Sequence, residues 1–281
     1  MPLDLIYITN DPSVALIAEK NDVDRIMVDL EVLGKEERQK HLNSVKSHHS
    51  IADIRAVAEV LTKSKLLVRI NPWHENSAEE IEQVISSGAQ SIMLPMWKTK
   101  SEVDAFLRTV GKRVHTVLLL ETKEAVECMD EVLENPLVDA IHIGLNDLHL
   151  SYGMTFMFEL LADGTVEKLC KKCREKGIPY GFGGIAKLRK GLVPAEHVIM
   201  EHYRLGSTGV ILSRTFCNAE EIGDLDAVKT IFREQMRLVR DFEASLADKT
   251  EQDYADNQLE VKEYVRQAVI TIKERQAGLQ K

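Results

Sequence analysis

Basic residues are in short supply in this chain: 36 Lys and Arg stand against 45 Asp and Glu, a net charge of −9. That balance argues against nucleic acid or an anionic membrane surface as the main partner. Cysteine is scarce as well. Cys128, Cys170, Cys173 and Cys217 are too few and too scattered for a disulfide framework. Cys170 and Cys173 form a lone CxxC inside a basic helical pattern, and a structural zinc would need two further ligands, so the pair reads as helix packing. No apolar run reaches 18 residues, so no membrane span is expected. The opening Met1-Pro2-Leu3-Asp4 lacks the basic start and apolar stretch of a secretory signal. A reducing cytoplasm is the expected setting. Nucleotide-binding glycine signatures are missing too, since Gly181-Phe182-Gly183-Gly184 has neither the Rossmann spacing nor the P-loop lysine.

What the chain does have is a core: 44% of its 281 residues are hydrophobic, enough for one large domain. The apolar residues come in β-branched runs at 5–8, 25–30, 66–70, 91–94, 117–120, 140–143, 180–182 and 209–212. Near-continuous apolar runs are strands buried on both faces, as in a parallel sheet. Amphipathic helical stretches separate them; one opens on a capping-box-like Ser77…Glu80 and stops at Gly88. Eight such alternations predict an α/β fold of the TIM (β/α)8 barrel type over residues 1–220. Residues 221–281 read as additional C-terminal helices. There Leu225, Val228, Phe232, Met236, Val239, Phe242 and Leu246 mark one apolar face, and a second helix is expected over residues 259–275. That face packs either on a neighbouring subunit or back on its own barrel, and a homo-oligomer, a trimer or hexamer, is expected.

Barrel enzymes carry their chemistry where strands end and βα loops begin. Strand two ends Val28-Asp29-Leu30-Glu31, strand three Val68-Arg69-Ile70-Asn71, strand five Leu120-Glu121-Thr122, and strand six Gly144-Leu145-Asn146-Asp147. A charge closing an apolar strand is costly unless paired or bound to metal. Glu121 and Asp147 stand one βα repeat apart, and two carboxylates completed by water suit an octahedral Mg²⁺ or Mn²⁺ site. Arg69 adds a fork that grips a carboxylate or a developing oxyanion.

These strings resemble a known family. Leu67-Val68-Arg69-Ile70-Asn71, Gly88-Ala89-Gln90-Ser91-Ile92-Met93-Leu94-Pro95, Leu119-Leu120-Glu121-Thr122 and Ile143-Gly144-Leu145-Asn146-Asp147-Leu148…Gly153 stand in the order found in metal-dependent pyruvate aldolases and citrate lyase β-subunits of the HpcH/HpaI type. The resemblance spans residues 24–215. It implies a lyase that makes or breaks a carbon–carbon bond beside a 2-oxo acid or acyl thioester. It also implies that Glu121 and Asp147 bind Mg²⁺ or Mn²⁺ and that Arg69 steadies the substrate carbonyl and its enolate. There are departures. The aldolase branch carries a proton-transferring histidine where this chain has Val32. Asp29-Leu30-Glu31…Lys35…Arg38 looks more like the citrate lyase branch, whose N-terminal Arg-Ser and Phe-Val-Pro-Gly patterns are absent. The proton carrier is left open among metal-bound water, His149 and Glu31.

The expected activity is therefore a metal-dependent aldolase acting on a small 2-oxo or hydroxy acid. The alternatives are acyl-CoA cleavage, or an inactive barrel serving as a binding subunit. Arg69, Asn71, Pro95 and Trp97 are expected to contact substrate, with Trp73, His74 and Lys98 as further rim residues. His142 reads as a barrel or interface histidine. His197, Glu201 and His202 have the wrong spacing for a zinc helix. Lys187, Arg189 and Lys190 follow strand seven, where barrels often bind phosphate, although a solvated loop is the plainer reading.

Overall fold

A computed structural model describes residues 2–33 and 49–279. Lys35 and Arg38 lie outside the described residues. Eight parallel strands close into a barrel: β1 Asp4–Ile8, β2 Arg25–Asp29, β3 Lys65–Arg69, β4 Ser91–Leu94, β5 His115–Leu120, β6 Ala140–Ile143, β7 Tyr180–Ile185 and β8 Gly209–Leu212. The expected TIM (β/α)8 barrel is thus the observed fold. Between the strands run helices α1 Pro12–Glu19, α2 Ile51–Val60, α3 Ser77–Ser86, α4 Lys100–Val110, α5 Lys123–Leu133, α6 Leu145–Ser151, α7 Glu159–Ala162, α8 Thr165–Glu175 and α9 Ala195–Leu205. After β8 come α10 Ala219–Ile222, α11 Leu225–Ser245 and α12 Glu251–Leu279.

Strand alternation divides the core in two. Ile6, Met27, Leu67, Met93, Val117 and Leu119 fill the barrel interior. The intervening residues, such as Leu5, Ile26, Val68, Ile92 and Leu118, face the helices. This parity carries forward to the C-terminal rim, where Asp29, in register with Arg69, continues the inward row of Met27. His142, in register with Leu119 and Gly181, also falls on an inward row.

Both long C-terminal helices lie on their own barrel. Helix α11 packs on α1, burying Val228, Phe232, Met236 and Val239, with Phe232 edge-on to Tyr7 at 4.9 Å. Leu225 stays exposed and Phe242 half-buried. Helix α12 runs along α9 and α7. Buried Asn257 clamps it, donating to Glu201 Oε1 (3.0 Å) and to the His197 carbonyl (3.2 Å). The superficially zinc-like His197 and Glu201 therefore dock a helix. His202 lies flat on Phe182 at 3.7 Å. Cys170 and Cys173 are buried and unlinked, the Cys173 thiol pushed up to about 12 by burial. Among the described residues no helix is long and apolar enough to cross a membrane.

The sequence expectation fails at one helix start. Helix α3 opens at Ser77 behind Asn76 with no side-chain cap, because Ser77 Oγ accepts from the His74 N–H (2.8 Å) and Glu80 turns away toward Asn71.

Candidate active site

The rim is built around Arg69. Its Nε and Nη2 donate to the two oxygens of Asp29 at 2.9 and 2.7 Å, a bidentate fork between neighbouring strands in register. Its Nη1 lies 3.4 Å from Glu31 Oε2. Burial acts to lower the Arg69 pKa, but the charges of Asp29, Glu31 and Glu121 outweigh it and lock the guanidinium in its charged form. Asp29 and Glu31 are themselves buried, and the Glu31 N–H donates to Asp29 Oδ1 (3.1 Å).

Glu121 follows β5 and is 3% exposed. Its Oε1 accepts the Met96 N–H at 3.0 Å. Met96 reaches that position only in a left-handed conformation, φ 53°. The other oxygen faces Gly144, where a Cβ would stand 2.8 Å from Oε2. Burial, then the neighbouring charge of Asp147, push the Glu121 carboxyl well above the usual carboxylate range; Glu31 adds to the rise, while Arg69 and the Met96 N–H oppose it. Asp147 is half-buried and does not close strand six. That strand ends at Ile143, and Asp147 sits in the first turn of α6 behind Gly144.

Asp29, Glu31 and Glu121 thus surround Arg69 at the rim, and Asp147 stands beside Glu121. A carboxylate pair whose repulsion raises one pKa is relieved by a divalent cation, and an all-oxygen donor set suits Mg²⁺ or Mn²⁺. Gly144 lets the backbone come up against Glu121, where a Cβ would stand 2.8 Å from Oε2, and the oxygen donors of Glu121 and Asp147 fit the chemistry of such an ion. Among the described residues no cluster of three or more His, Cys, Asp or Glu side chains forms a ready-made cage. Glu121 and Asp147 would hold the ion together with substrate and water oxygens.

The remaining rim candidates are placed as follows. Asn71 is tied into protein contacts: its Oδ1 accepts the Val32 and Leu33 N–H groups, and its Nδ2 donates to Glu80. Pro95 is buried at the end of β4. Trp97 is 1% exposed and packed in the barrel–helix core, which sets it apart from an open substrate cover; its carbonyl accepts from Thr122 Oγ1 (2.8 Å). Lys98 is exposed, and Trp73 and His74 are half-buried. His149 is buried on α6 with Nδ1 3.2 Å from the Leu145 carbonyl. His142 lies inside the barrel, its Nε2 3.2 Å from the Gly183 carbonyl; burial and then the nearby Arg69 charge lower its pKa to about 4, against the opposing pull of that carbonyl. After β7, the Arg189 N–H is taken by Glu196 (2.9 Å). Sequence reasoning missed the Met96 backbone and the bare face of Gly144. The glycine directly after an apolar strand was the available signal.

A closed eightfold barrel with an acidic rim around one forked arginine defines the class. The chain belongs to the HpcH/HpaI aldolase/citrate lyase family, whose family model matches residues 5–180. Membership in a family of aldolases and lyases supports a carbon–carbon lyase. Similar solved structures include an HpcH/HpaI aldolase from Desulfitobacterium hafniense DCB-2, 16% identical, TM-score 0.61, covering 82% of this chain and 93% of that one. An HpcH/HpaI aldolase/citrate lyase family protein from Burkholderia cenocepacia J2315 is 14% identical, TM-score 0.59, covering 81% and 95%. Macrophomate synthase is 14% identical, TM-score 0.55, covering 82% and 84%. At those identities the likeness establishes the fold. No curated protein matches the sequence.

Proposed function

We propose that the chain is a divalent-metal-dependent aldolase that cleaves or forms a carbon–carbon bond next to a small 2-oxo acid. The observation that carries this reading is the buried Glu121 carboxylate, with Asp147 as its like-charged neighbour, at the same rim as the Asp29-forked Arg69. When bound at Glu121 and Asp147, Mg²⁺ or Mn²⁺ would polarise the 2-oxo group and stabilise negative charge on its oxygen.

The chain's own groups supply the rest. Two of the five N–H bonds of Arg69 go to Asp29, which fixes the guanidinium plane and leaves the Nη edge to donate to the 2-oxo oxygen. In the cleavage direction Glu31 takes the proton of the hydroxyl two carbons from the carbonyl as the carbon–carbon bond breaks. That bond's electrons pass into the enolate, an aldehyde leaves, and Glu31 returns the proton to the enolate carbon. Glu31 is favoured over His149 by its position against Arg69, since His149 Nδ1 is engaged with the Leu145 carbonyl. The exposed Leu238, Leu259, Tyr264 and Ile270 of α11 and α12 offer an apolar surface that favours a homo-oligomer; a trimer or hexamer, acting in the cytoplasm, is proposed with it.

Calorimetric titration with Mn²⁺ and oxalate, an enolate mimic, tests the site. Wild type should bind the two cooperatively, and Glu121→Gln and Asp147→Asn should bind neither while keeping the fold. Full binding by either variant would remove the metal assignment.

A further inference from the structure

The segment carrying Glu31 is held in an unusual way. Its three successive N–H groups all point at side chains of the rim: Glu31 donates to Asp29 Oδ1 (3.1 Å), and Val32 and Leu33 both donate to Asn71 Oδ1 (3.0 and 3.1 Å). Leu30 and Glu31 are buried, but beyond them Val32 and Leu33 are 49% and 45% exposed and gain little from packing. At Val32 and Leu33 the hydrogen bonds to Asn71 are what hold the main chain.

Asn71 is in turn held from behind. Its Nδ2 and its backbone N–H both donate to Glu80 Oε1, at 2.8 and 3.2 Å. The second oxygen of Glu80 lies 3.2 Å from His74 Nε2, and His74 Nδ1 accepts the Asn76 N–H at 3.2 Å. The carboxamide thus has its acceptor end on the loop after β2 and its donor end on a carboxylate of α3. Reversing it would set an oxygen against Glu80 and an NH₂ against two N–H groups, so only one orientation is satisfied.

We infer that Asn71 and Glu80 form a positioning clamp that sets the Glu31 carboxylate against Arg69, and that Asn71 acts through this clamp instead of by binding substrate. The inference deepens the aldolase reading and rests on it for the role of Glu31. A clamp of this kind matters because a displacement of about 1 Å in a proton-transfer group costs roughly 100-fold in rate.

The test exploits the donor–acceptor polarity of the pair. Asn71→Asp keeps the acceptor for Val32 and Leu33 but sets a second carboxylate against Glu80. Adding Glu80→Gln restores a donor to face it, although the Asn71 backbone bond is weakened, so recovery is partial. Two readouts are taken on the full chain with Mg²⁺. One is deuterium exchange at the methyl group of pyruvate in D₂O, followed by NMR, and the other is hydrogen exchange of the Val32 and Leu33 amides.

Asn71→Asp should slow pyruvate exchange at least tenfold and lose protection at both amides. The double variant should run at least threefold faster than the single one, with the amides protected again. A single variant with unchanged exchange and protection, or a double variant no better than the single, overturns the clamp. Amide protection that follows the swap while pyruvate exchange does not respond overturns the positioning role. A wild type that never exchanges pyruvate counts against the aldolase reading, and the amide readout still decides the clamp.

Discussion

The backbone N–H of Met96 reaches Glu121 Oε1 at 3.0 Å because Met96 adopts a left-handed φ of 53°. A long side chain tolerates that conformation at a cost, and a β-branched one tolerates it poorly. The strain lies one residue past Pro95, where it aims the main chain at a buried carboxylate.

Met96→Gly should therefore keep Mn²⁺ affinity within about twofold. Met96→Val should lower stability by about 1–2 kcal/mol and weaken Mn²⁺ binding, as the N–H swings off Glu121. Urea melts and metal titration read the two effects separately. Equal behaviour of the two variants would show that the Met96 conformation does not matter.

Gly144→Ala places a methyl group 2.8 Å from Glu121 Oε2 and 2.9 Å from its Cβ. The carboxylate has to move, so Mn²⁺ affinity should drop at least tenfold with the circular dichroism spectrum unchanged. Retained affinity would mean that this oxygen does not face the ion.

His142 is neutral when folded because burial, with Arg69 nearby, lowers its pKa from 6.5 to about 4. The unfolded chain binds that proton more readily, so stability is complete above pH 6.5 and is lost as the pH falls from 6.5 toward 4. The loss approaches about 3 kcal/mol. Buried His202 shifts in the same direction, so the quantity to measure is the difference between wild type and His142→Leu in urea melts across that window. The variant should show the shallower slope; identical slopes would contradict a neutral His142.

Asn257 is 3% exposed and bridges α12 to Glu201 and the His197 carbonyl on α9. Asn257→Ala leaves those buried acceptors short of a donor and should cost about 1–3 kcal/mol. Differential scanning calorimetry should show the lower melting temperature, and an unchanged one would mean that Val261 and Val265 hold the helix without the polar clamp.

The barrel was legible because strands buried on both faces must be continuously apolar, and all eight runs became strands. The charged strand ends were legible for the complementary reason, that Arg69 and Glu121 interrupt such runs. Side-chain direction in the loops was not. Asp147 looked like the close of strand six, but the chain turns at Gly144 and carries it into the first helical turn. Trp97 read as a substrate contact, and the chain buries it just after the left-handed step at Met96. Asn71 read as a substrate contact because its partners, Val32, Leu33 and Glu80, are set by tertiary register that no local pattern encodes. The apolar stripe of α11 was plain, and α1 is what covers it.

The central claim is that Glu121, Asp147 and Arg69 together stabilise an enolate. Proton NMR of pyruvate in D₂O tests it most directly, with Mg²⁺ added to wild type, Asp147→Asn and Arg69→Lys. The account predicts Mg²⁺-dependent loss of the methyl signal with wild type and at least a 100-fold slower loss with either variant. Exchange that proceeds equally in all three, or that ignores Mg²⁺, would contradict it.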